Sequence, residues 1–169
     1  MKSEILRFVA GGVLALVSTY IGLMVKRGYA EKVKFYKDLV EFCGVFKGEL
    51  SFSMPTVTDF CTKYVKDKNG KWVDVVKEYQ TDLTTKGKFD RDLDKWEVLH
   101  LKKEEKSEIL HFLQGIGKTS LTEQISFVDK CNVVFASRLK QAEEDMKKKG
   151  SMYFKLFALL GVALLVILG

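Results

Sequence analysis

The stretch HFLQGIGKTSLTEQ, His111 to Gln124, holds the residues most suggestive of chemistry: a Gly-Lys-Thr with a further glycine ahead of it. Such a triplet closes the Walker A loop, G-x-x-x-x-G-K-[ST], whose glycine-permissive backbone wraps N–H groups around phosphates. Counted back from Gly117, the first glycine of that loop falls on Phe112; the glycine present, Gly115, stands too close to complete the wrap. A phosphate loop also follows a buried strand, whereas KSEILHFLQ has helical spacing. The spacing therefore argues against a nucleotide loop and predicts a helix–turn–helix junction. Gly115 or Gly117 ends one helix in the left-handed conformation that glycine tolerates. Ser120-Leu121-Thr122-Glu123 matches S-x-x-E, a capping box that starts the next.

Other groups with chemical potential fare no better. Asp90, Asp92 and Asp94 open like a calcium loop, but its sixth position is Lys95 rather than glycine and its twelfth is Leu101 rather than glutamate. They read as acids at a positive helix start. His100 and His111 are the two histidines, with no third His or Cys at ligand spacing. Cys43, Cys61 and Cys131 form no C-x-x-C pair, so neither a zinc site nor a disulfide framework is indicated. KKEEKSE, from Lys102 to Glu108, reads as a solvated helix face. No catalytic, cofactor-binding or metal residue is assigned, and the expectation is a protein that is not an enzyme.

The elements around these residues are helical. The chain has 169 residues, 47 % hydrophobic and 30 % charged, and the two classes are segregated. Phe8 to Val25 is uncharged and would extend about 27 Å as a helix, near the roughly 30 Å of a bilayer's hydrocarbon core. Basic VKRGY follows, without an A-x-A-like cleavage site, which favours a retained anchor over a signal peptide. A second apolar run occupies Leu156 to Gly169, with Lys155 placed to snorkel. Transmembrane helices are expected over residues 5–25 and 151–169, with a helical-bundle domain over 26–150.

Lys26, Arg27, Lys32, Lys34 and Lys37 follow the first run, and Lys147, Lys148, Lys149 and Lys155 precede or begin the second. This bias places the middle region in the cytoplasm. The net charge of +6 then reflects topology and attraction to an anionic lipid bilayer. No basic stripe interleaved with aromatics points to nucleic acid.

Within the domain, Val33, Tyr36, Val40, Cys43, Phe46 and Leu50 recur at helical spacing until Pro55 forces a break. A short helix ends at Asn69-Gly70, another carries Trp72, Val75, Val76 and Tyr79 and breaks near Gly87, and further helices are read over 90–101 and 102–114. From Leu121 the apolar positions Ile125, Val128, Phe135, Leu139, Ala142 and Met146, with Asn132 among them, step by four and three. Such a seam fits a core-facing bundle helix better than a free coiled coil, and Val133 and Val134 widen its stripe. No alternating run argues a sheet. The fold class expected is all-α, an antiparallel helical bundle between an N-terminal and a C-terminal transmembrane helix.

This layout resembles the stage III sporulation protein AB family of endospore-forming bacteria. The likeness is best over Leu101–Gly169, in the glycine pair before the turn, in Gln124 and in the small-residue C-terminal helix. GELSFSMPTVTDF, with Glu49 and Pro55, is similar to the family's glutamate-then-proline segment. The resemblance implies similarity to the platform proteins of type II secretion and type IV pilus machines. It implies as partners an ATPase like stage III sporulation protein AA and other membrane proteins of the stage III sporulation A operon. The expected setting is the mother-cell membrane around the forespore, and the expected role a non-enzymatic platform that couples the ATPase to a channel. The alternative is a membrane-tethered helical signalling or sensor protein.

Overall fold

The structure, a computed structural model, describes the backbone of residues 2–89 and 99–168, and the side chains of that range except those of residues 2–8, 165 and 168. Asp90, Asp92, Asp94 and most of the helix expected over 90–101 lie outside the described residues. The rest is all-α, with no strand among the described residues. The helices are α1 (Lys2–Phe52), α2 (Val57–Val65), α3 (Lys71–Lys86), α4 (Lys103–Gly115), α5 (Leu121–Asp145) and α6 (Ser151–Leu168), with a π-helical turn at Met146–Gly150 between the last two.

The breaks have local causes. Pro55 has no N–H for a helix, and Met54 ahead of it turns to a φ of 45°. Thr56 then caps α2, its hydroxyl oxygen accepting from Asp59 N–H at 3.1 Å. Gly87 ends α3 at a φ of 67°, its N–H donating to Leu83 O.

Two compact units result, one of residues 31–141 and one of residues 1–30 with 142–169. In the first, the faces read from the spacing meet: Tyr36, Cys43 and Phe46 of α1, Trp72, Val75, Val76 and Tyr79 of α3, and Val128 and Phe135 of α5 are buried. Phe42 is the centre of an aromatic core. Its ring lies edge-on to Phe60 and Tyr64 of α2, Trp72 of α3 and Phe112 of α4, at centroid distances of 5.2, 4.8, 5.3 and 6.1 Å. Phe112 passes the contact on to Phe135 of α5 at 5.4 Å. Each such pair adds about 0.5–1.5 kcal/mol beyond the apolar area it buries. Val133 and Val134 do not join this core; they point outward on α5 and stay exposed.

The second unit has the opposite polarity. Where the N-terminal part of α1 meets α6, the contact is made of small and polar groups. Ser18, buried, donates its hydroxyl to Phe157 O at 2.8 Å. A Cβ on Gly161 would stand 3.1 Å from Ala15 O, and one on Gly22 3.0 Å from Phe157 Cβ, so both glycines permit the close approach. The outward faces are apolar, with Leu16 74 %, Leu159 68 % and Val166 74 % exposed. Among the described residues, one helix, within Val9–Phe52, is long and apolar enough to cross a membrane.

Candidate functional site

The Gly-Lys-Thr stretch forms the turn its glycines predict. α4 ends at Gly115, Ile116 N–H donates to Phe112 O at 3.1 Å, and Gly117 takes a φ of +82°. Glu123 accepts from Ser120 N–H at 3.3 Å, one arm of the capping box. Gln124, a turn further on, is buried despite its polar side chain. Its Oε1 accepts from Gly117 N–H at 3.0 Å and from the Thr119 hydroxyl at 3.3 Å. The amide thereby fastens the start of α5 to the turn. Its Nε2 is buried without a hydrogen-bond partner, an expensive arrangement for a donor inside a protein.

This turn forms one wall of a cleft of about 480 Å³. Phe46 and Leu50 of α1, Val57 of α2, and Tyr79 and Leu83 of α3 supply the apolar part, and Lys118, Thr119 and Gln124 the polar part. Past Tyr79, Leu83 and Lys118 it adjoins a second concavity of about 340 Å³ toward Phe89 and Gln114. Close by in the chain, before Pro55, Phe52 and Met54 are 93 % and 65 % exposed. The described lining holds no carboxylate, imidazole or thiol. Its chemistry is that of a groove with apolar walls, the Lys118 and Lys88 cations and the hydroxyls of Thr56, Tyr79 and Thr119.

A second polar cluster lies inside the bundle. Glu105 of α4 is 4 % exposed, in the segment whose sequence reads as a solvated face. It accepts from Lys32 Nζ at 2.8 Å, Tyr36 OH at 3.0 Å and Lys102 N–H at 2.7 Å. Burial pushes its carboxyl up, but the Lys32 and Lys102 hydrogen bonds, the Lys32 charge and the Tyr36 hydroxyl outweigh that and hold its pKa below the ordinary value. Three residues further along α4, Glu108 receives both arms of Arg138 of α5, at 2.6 and 3.0 Å. One turn of apparent surface charge thus locks α4 to α1 and α5. Among the described residues, three donors of the bundle itself satisfy Glu105, which marks the cluster as structural.

Neither imidazole joins either site, although the His100 carbonyl accepts from Lys32 Nζ at 3.4 Å. His100 is exposed in a turn at a φ of 46°; His111 is exposed on α4 with its ring edge-on to Phe127 at 5.5 Å. No group of metal-ligating side chains occurs among the described residues. Burial raises the thiols of Cys43 and Cys61, the latter to about 12. Asn132, expected as the polar member of the α5 seam, is half-buried with its Oδ1 unpaired.

The described residues define an all-helical protein with a cleft on its bundle and an N-terminal helix long and apolar enough to enter a membrane. The chain belongs to the stage III sporulation protein AB family, whose model matches residues 7–169, nearly the whole chain. No curated protein and no solved structure matches it. The family assignment supports a role in stage III of sporulation, and with the apolar N-terminal helix it suggests association with a membrane.

Proposed function

We propose that this protein is a non-enzymatic platform of a secretion-like sporulation complex. The N-terminal part of α1 and α6 cross the mother-cell membrane around the forespore, and residues 31–141 stand in the cytoplasm. There the groove beside Gly117 and Gln124 receives an ATPase like stage III sporulation protein AA. ATPase work then reaches the other membrane proteins of the stage III sporulation A operon and a channel between the two cells.

The two-span topology is supported by the inverted polarity of the Ser18–Phe157 contact. A helix pair that hides a hydroxyl and glycines while presenting leucine and valine outward is ordered for lipid rather than water. Basic residues beside both helices favour the cytoplasmic placement. The observation that carries the docking role is the groove itself, with two exposed apolar side chains close by in the chain. Exposed apolar anchors beside a concavity are the groups that partner recognition buries.

Co-purification of the ATPase with the full chain from sporulating cells tests this. Phe52→Ser with Met54→Ser, and separately Lys118→Glu, change exposed positions and should leave the helical content intact. The expected result is loss of ATPase capture in both variants. Undiminished capture by both would remove the groove from the interface.

A further inference from the structure

The junction of α5 and α6 carries a feature that neither the groove nor the ATPase explains. The chain passes from one helix to the next through the π-helical turn Met146–Gly150, which holds three consecutive lysines. Such turns are rare and concentrate at functional sites, because the widened turn re-aims its side chains. Lys147 and Lys148 line a shallow concavity of about 340 Å³ together with Ser151 and Lys155. Lys148 has Glu144, which does not line the concavity, at 3.7 Å. Lys149 pairs with Asp145 at 2.8 Å and does not line the concavity. Among the described residues, neither Lys147 nor Lys155 meets a carboxylate. Three cations and a hydroxyl converge on one hollow with too little negative charge to match them.

The floor of the hollow is apolar. Met152, Leu156 and Leu159 continue it along α6, 48, 52 and 68 % exposed. From Lys147 to Leu159 this face rises about 18 Å, near the depth of one bilayer leaflet with its headgroups. Tyr153, 38 % exposed, lies on the same turns, and Lys26 Nζ sits 5.5 Å from the Phe154 ring centroid. Amphipathic rings and lysines at one level mark the headgroup region. A soluble anion would use the lysines and leave the leucines idle. An acidic protein would not follow an apolar strip into the span.

We infer that Lys147, Lys148, Ser151 and Lys155 bind the phosphate headgroup of an anionic phospholipid whose acyl chain lies along Met152, Leu156 and Leu159. The inference rests on the reading of α6 as membrane-embedded. The lysines act as point charges on the phosphate and the Ser151 hydroxyl donates to one of its oxygens. A lipid held there sets the depth of α6 through charge at the end of the helix where Lys155 and Ser151 lie.

The test uses the full chain purified in mild detergent, with retained phosphatidylglycerol and phosphatidylcholine counted by native mass spectrometry. Wild-type chain should keep phosphatidylglycerol in preference to phosphatidylcholine. Lysines at an anionic surface contribute roughly fivefold each, so Lys147→Gln, Lys148→Gln and Lys155→Gln together should weaken retention on the order of a hundredfold. A charge-matched control, Lys66→Gln with Lys71→Gln and Lys130→Gln, should keep it. Equal retention by the triple variant and the control overturns the site. Displacement of the lipid by millimolar glycerol phosphate as effectively as by added phosphatidylglycerol also overturns it, since the acyl strip would then contribute nothing. A separate arm places tryptophan at Leu160 and adds brominated lipid. Quenching beyond that of the unsubstituted chain supports an embedded α6. No added quenching would remove the membrane reading of α6 and the site with it, a failure distinct from loss of lysine dependence in a quenched chain.

Discussion

Replacing Gly117 by alanine separates the two demands that its position makes. One is conformational: a φ of +82° costs an L-residue about 1–2 kcal/mol. The other is steric, since a Cβ there would stand 2.7 Å from Val57 Cγ2, and crowding a packed contact costs about 1–3 kcal/mol. Gly117→Ala should therefore destabilise the protein by about 2–5 kcal/mol, a fall in Tm on the order of 10 °C for a chain of this size. In a Val57→Ala background the steric part disappears and about 1–2 kcal/mol should remain. Urea unfolding of the full chain in detergent, followed by tryptophan fluorescence, measures all four corners of the cycle; Trp72, fully buried, reports on the core. An equal cost in both backgrounds would refute the contact with Val57. A cost below about 0.5 kcal/mol in the original background would refute the requirement for a left-handed residue, and the turn would need another explanation.

Two more outcomes follow from the interior. Glu105→Ala strands Lys32 and the Tyr36 hydroxyl and should cost about 3–5 kcal/mol, whereas Glu105→Gln keeps an acceptor and should cost less. Because the folded pKa of Glu105 lies below the unfolded one, its contribution is present above the ordinary glutamate value of about 4.3 and is lost as pH falls through the folded value. Acid unfolding curves should show this limb in the original chain and a flatter one in Glu105→Gln; identical limbs would contradict the assignment. Iodoacetamide at pH 8 should reach half-buried Cys131 before Cys43 and Cys61, with Cys61, its thiol near 12, roughly a thousandfold slower than a free thiol. Peptide mapping that finds Cys61 modified first would contradict the packing of α2.

The helices were legible in the sequence where burial and periodicity agree. Tyr36, Cys43, Phe46 and Leu50 recur at helical spacing, and all four are buried on one continuous α1. Gly117 was legible for a different reason, because a glycine ahead of a capping box has few other uses. Glu105 was hidden, since its neighbours are charged and its burial depends on Lys32 and Tyr36, some seventy residues away. Periodicity carries no record of such partners. Val133 and Val134 mislead in the opposite direction, being apolar beside the seam yet facing outward. The burial of Gln124 follows from the turn it closes, and the residue alone reads as surface; only the family likeness singled it out. The lipid hollow required the π turn, which no spacing rule anticipates.

The position of Phe42 has a consequence for how the bundle comes apart. One ring of α1 touches α2, α3 and α4 at once, so no one of them can detach without opening the contacts of the others. Local fraying is thereby confined to the ends, and partial unfolding of the interior has no inexpensive first step. Amide hydrogens around Phe42 should therefore be among the slowest of the bundle to exchange with solvent. A partner that pulls on one helix of this unit therefore meets the resistance of all of them.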